Sequence, residues 1–151
     1  MLKEQIMTMD MHTNTNTGSG RVVGGGRPYI DNPGPGPLIM AADTLTGDSV
    51  ENSAGDYLGE IKAIMLDVPR GRIAYAVLSY GGFLGVGDKL FAVPWQALTL
   101  NADRECFVLG IEADRLKNAP GFDKDHWPSM ADPDWANDIH SYYGYTPYWD
   151  E

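Results

Sequence analysis

The chain has 151 residues, a mass of 16.5 kDa and a formal net charge of −10, from 11 Lys and Arg against 21 Asp and Glu. This size suits one domain, and the acidic balance argues against an unassisted nucleic-acid binder or a partner that is an anionic membrane surface, because both need a positive face. A single cysteine, Cys106, leaves no internal disulfide, and no apolar run approaches the roughly 18 residues of a membrane-spanning helix.

Residues 1–7 hold no apolar block of signal-peptide length, so a soluble cytoplasmic protein without membrane insertion is expected. Residues 1–37 are rich in Thr, Asn, Gly and Pro and nearly free of periodic apolar residues. Such a segment buries too little apolar area to offset its ordering entropy, and a disordered tail or linker is expected. The triplet Gly24, Gly25 and Gly26 lacks the preceding strand and following helix of a phosphate cradle.

Residues 38–122 read as strands and tight turns. Residues 38–41 are a short apolar strand candidate, and residues 57–68 a long one. Residues 73–80 are apolar on both faces, as in a strand buried on both sides. Residues 90–93 and 107–109 complete the candidates, with a short helical turn expected over 112–118. Strand spacing of about 8–16 residues with glycine turns points to a small antiparallel barrel.

From residue 119 onward the chain carries 8 of its 16 aromatic residues and 7 acids against one base, Lys124. Asp132 and Pro133 are a helix start, Asp134 suits the positive end of the dipole, and Gly144 a helix end. Trp135, Ile139 and Tyr142 or Tyr143 form an aromatic stripe at helical spacing. Residues 123–151 are therefore expected to be an acidic aromatic extension with a short helix.

The barrel region resembles the PRC-barrel family. The resemblance is carried by Gly55, Asp56, Tyr57, Leu58, Gly59, Glu60 and Ile61, then Asp67, then Gly71 to Val77. The loop Gly81-Gly82-Phe83-Leu84-Gly85-Val86-Gly87-Asp88-Lys89, the run Val93-Pro94-Trp95 and the run Ala119-Pro120-Gly121-Phe122 follow in the family's order, over about residues 39–125. The resemblance implies a mainly β, strongly bent, largely antiparallel barrel of about six strands. It is most similar to the short stand-alone bacterial members, and is shared with the H subunit of photosynthetic reaction centres and a ribosome maturation factor. It implies a binding or assembly module and no enzyme. The transmembrane helix of the H subunit and the additional N-terminal barrel of the ribosome factor are expected to have no counterpart in these residues.

The chemical inventory agrees. Cys106 beside an apolar strand reads as a structural thiol, and no glycine-flanked serine marks a nucleophile elbow. No catalytic residue, cofactor or metal is expected. The weak metal candidates are Asp123, Asp125 and His126, within a wider group that adds Asp132, Asp134 and His140, but their spacing fits neither a calcium loop nor a zinc helix. The expected function is protein interaction, as a homodimer that meets an unidentified protein partner through Tyr80, Gly82, Phe83, Leu84, Val86, Trp135, Tyr142 and Tyr143. Phe83 and Leu84 either fold over the barrel mouth or project as an apolar knob. The alternatives are a small-ligand or cofactor-binding barrel, a reaction-centre-associated assembly role, and a hydrolase built on the Asp/His cluster.

Overall fold

Residues 21–23, 38–80 and 89–150 are described by the computed structural model. In chain order they form β1 (Arg21–Val23), α1 (Ala42–Leu45), β2 (Ser49–Glu51), β3 (Tyr57–Asp67), β4 (Arg72–Tyr80), β5 (Lys89–Pro94), β6 (Leu98–Asn101), β7 (Cys106–Leu109), α2 (Ala113–Lys117) and α3 (Pro133–Tyr143). Short 3-10 turns cover Trp95–Ala97 and Tyr148–Asp150.

The long β3 and β4 pair antiparallel from Glu60 opposite Ser79 to Asp67 opposite Arg72. The register slips between Ile61 and Ala63 and again between Met65 and Leu66. Each slip inserts a bulge, which bends a strand and raises its twist. Gly59 adds a third device: its φ is +128°, and a Cβ there would stand 2.3 Å from the Ser79 carbonyl oxygen. Only glycine admits that close approach of two backbones.

The bent strands close round one core. Val50, Leu58, Ile61, Ala76, Leu78, Phe91, Val93, Leu98, Leu100, Phe107 and Leu109 come from β2 to β7 and meet in a single buried cluster with Leu116 of α2. One cluster fed by one side of six strands requires a barrel-like sheet. The hydrogen-bonded order is β1-β6-β7-β2-β3-β4-β5, a linear order in which the two ends do not pair. The described residues hold seven strands, where about six were expected, and four of their six pairings are antiparallel, the exceptions being β1 with β6 and β2 with β7. Short β2 and β6 escaped the sequence pattern because three or four residues show no period of their own.

Residues 38–41 are not a strand. Leu38 and Ile39 are 73% and 69% exposed, and the chain turns into α1, with the Thr44 hydroxyl donating to the Ala41 carbonyl. An apolar run needs an open edge to become a strand, and both edges of the neighbouring β2 are taken by β3 and β7. In the N-terminal region, residues 21–23 form β1 rather than unstructured tail, pairing through backbone groups with residues 99–101. The remainder of that expected tail lies outside the described residues.

A second cluster covers the outer face of β4 and β5. Tyr75 and Ala92 pack there under Ile139 of α3 and Tyr148. The expectation that β4 is buried on both faces holds: residues 74–78 are all buried. The helix over them begins as its caps dictate. The Asp132 carboxylate accepts from the Asp134 amide, Pro133 follows, and Gly144 ends α3 at φ +80°. No helix among the described residues is long and apolar enough to cross a membrane.

Candidate functional site

The residues singled out as an interface separate into two places. Tyr80 is the last residue of β4, half-buried against the main core and paired with Lys89 of β5. The Lys117 ammonium stands 6.0 Å from its ring. Gly82, Phe83, Leu84 and Val86 lie outside the described residues. Their eight-residue connection, 81–88, joins two strands that are hydrogen-bonded neighbours, and the residues that flank it, Tyr80 and Lys89, are paired.

The aromatic residues of α3 lie elsewhere and face inward. Trp135 meets Tyr75 edge to face at 5.3 Å. Tyr143 packs against both clusters, and Tyr142 meets Tyr143 edge to face at 5.2 Å. The Tyr142 hydroxyl donates to the Arg115 carbonyl, while the Arg115 guanidinium donates back to the Tyr142 carbonyl at 2.6 Å. These rings fasten α3 to α2 and the sheet. The helix buries Ala136, Ile139 and His140 most deeply, so the stripe is centred beside the one expected from aromatic spacing.

The acidic cluster is not gathered into one site. His126 and Asp123 form an exposed pair, Nδ1 to Oδ1 at 2.8 Å. Asp125 enters that turn by its backbone amide, donating to Asp123. The His126 hydrogen bond holds the Asp123 carboxyl below the usual carboxylate range. Asp132 caps α3. His140 lies fully buried in the second cluster, its Nδ1 2.7 Å from the Ala136 carbonyl. A carbonyl only accepts, so Nδ1 carries the proton. Among the described residues no three His, Cys, Asp or Glu side chains meet at metal-binding distance. Cys106 is buried, and burial followed by Glu51 pushes its thiol up, away from a nucleophilic thiolate.

The most elaborate polar arrangement lies at the far tip of the β3–β4 hairpin, and sequence reasoning missed it. The Asp67 side chain, 8% exposed, accepts from the Tyr148 hydroxyl at 2.5 Å and from the Arg70 amide and guanidinium at 3.1 and 2.9 Å. The Arg72 guanidinium donates to the Tyr148 carbonyl at 2.8 Å and lies 5.0 Å from the Tyr148 ring centre. Tyr148 is thus gripped at its ring, its hydroxyl and its carbonyl by one hairpin. The hydroxyl and Arg70 hold the Asp67 carboxyl below its ordinary range against the opposing effect of burial. Burial, then the Asp67 hydrogen bond, pushes Tyr148 up to about 12. The only signals in the sequence were Asp67, a lone residue of the family pattern, and the aromatic run near the C-terminus, 81 positions away.

This fold defines a class. A bent sheet bears a glycine-rich strand connection at one end of β4 and a C-terminal helix on its outer face. Residues 38–109 match the PRC-barrel domain, so this stretch of the chain is a PRC-barrel domain. The matched span runs from before α1 to the end of β7; α2 and α3 lie beyond it. Among solved structures the chain is similar to a 16S ribosomal RNA processing protein, RimM of Pseudomonas aeruginosa, at 16% identity and a TM-score of 0.36. That likeness covers 58% of this chain and 50% of RimM, so the chain spans about half the length of that protein. No curated protein matches the sequence.

Proposed function

We propose that this PRC-barrel protein is a non-enzymatic interaction module of the cytoplasm that forms a homodimer and presents the 81–88 connection to itself or to a further protein. One observation carries the reading. The connection leaves and re-enters the sheet at a paired position, Tyr80 opposite Lys89, so a rigid frame holds a sequence that contains Phe83, Leu84 and Val86. Apolar residues on a loop held by a rigid scaffold are a usual form of contact surface. The buried thiol of Cys106 and the buried ring of His140 add support, since neither is poised to attack a substrate.

Sedimentation of the full chain across a concentration series tests the reading, with Phe83→Asp beside it. A dimer that the substitution converts to monomer is the expected result. A wild-type chain that stays monomeric throughout, or a dimer indifferent to Phe83→Asp, overturns the role of the connection.

A further inference from the structure

A cleft of about 540 Å³ opens at the other end of β4, between the hairpin tip, the start of α3 and the C-terminal turn. Eight residue steps separate Tyr80 from Arg72, about 27 Å along an extended strand, so the cleft lies at the opposite end of β4 from Tyr80. Its size is that of a small-molecule site. Met65 and Met130 supply adaptable thioether walls, and Tyr148 and Trp149 supply aromatic ones. Its two charged side chains, Asp67 and Arg70, are paired with each other at 2.9 Å, so the cleft offers no uncommitted charge to an ionic ligand. Tyr75 also lines it. That residue is 1% exposed, and its hydroxyl is buried with no hydrogen-bond partner among the described residues. A buried donor without an acceptor is costly and rare in folded proteins. Burial holds the hydroxyl protonated far into the alkaline range, so it remains a donor.

We propose that this cleft is a binding site for an uncharged aromatic small molecule whose carbonyl oxygen accepts the Tyr75 hydroxyl. The methionine and aromatic walls take the rings, and the buried Tyr75 hydroxyl sets the orientation. The site is independent of the association proposed above and stands whether or not the chain dimerises.

Benzophenone is a suitable probe, because it has two rings and one carbonyl and on illumination inserts into nearby C–H bonds. Diphenylmethane has the same rings without the carbonyl. Tryptophan-fluorescence titration of the full chain is expected to show saturable benzophenone binding about tenfold tighter than diphenylmethane, the worth of one well-made hydrogen bond. Tyr75→Phe, which removes a hydroxyl and no packing, is expected to abolish that tenfold preference while diphenylmethane binding stays unchanged. Photolabel is expected on Met65 or Met130. The wild-type comparison of the two ligands stands even if the variant fails to fold. Non-saturable binding, equal affinity for the two compounds in the wild-type chain, or label placed on other methionines overturns the proposal.

Discussion

Gly59 shows how one residue decides the curvature of the sheet. Its positive φ and the Ser79 carbonyl 2.3 Å from any added Cβ leave no room for a side chain, and the obstacle is backbone. Gly59→Ala is expected to cost about 2–4 kcal/mol in urea unfolding, from strain and displaced backbone together. Tyr148 is the corresponding residue of the outer face. Tyr148→Phe keeps the ring against Tyr75, 6.2 Å away, and removes the donor to Asp67. The expected loss at pH 7 is about 1.5 kcal/mol, as for a hydrogen bond to a charged group. The pH dependence follows from the direction of each shift. Asp67 is held below its ordinary value, so its contribution is present above the unfolded pKa and is lost as pH falls through the folded one. Tyr148 is raised from 10 to about 12, so its contribution is complete below pH 10 and is lost as pH rises towards 12. Urea unfolding of wild type and Tyr148→Phe is therefore expected to differ less at pH 11 than at pH 7. An unchanged gap would sink the assignment.

The elements differ in how much of their cause is local. The helix α3 was legible to its ends, since Asp132, Pro133 and Gly144 act within a few residues of themselves. Asp132→Ala is expected to lower stability by about 1 kcal/mol in thermal or urea unfolding, the ordinary worth of an N-cap. The long strands β3 and β4 were legible too, because nine or more residues display their apolar faces. Three-residue β1 and β2 were not, because their cause is a neighbour: β1 exists through β6, and β2 through β3 and β7. Residues 38–41 are the reverse case, with apolar composition and no available edge. The interface candidates followed the same division. Trp135, Tyr142 and Tyr143 were named from helical spacing, but the side they turn to was settled by Tyr75 and Arg115.

At the scale of the molecule, stability rests on the cluster that six strands share. Phe107 is a large member, 1% exposed and edge-on to Trp95 at 5.7 Å. Phe107→Ala is expected to cost about 3–5 kcal/mol, transfer and cavity together, with loss of most of the folded population in a domain of ordinary stability. The barrel fold was readable from an ordered series of which Gly55, Gly59, Gly71, Asp67 and the Val93-Pro94-Trp95 run reappear here as turns, a close approach and strand ends. Nothing in that order indicated the cleft. Its walls come from the β3–β4 hairpin, the start of α3 and the C-terminal turn, and its buried donor, Tyr75, reads in sequence as one more apolar strand residue. The sequence by itself therefore determined the periods of the long strands and the helix, the caps of α3 and the PRC-barrel domain of residues 38–109, because each is written in residues a few positions apart. Tertiary structure alone decided which strands pair, which aromatic faces are covered and where Asp67 meets Tyr148, because those depend on groups that only folding brings within contact range.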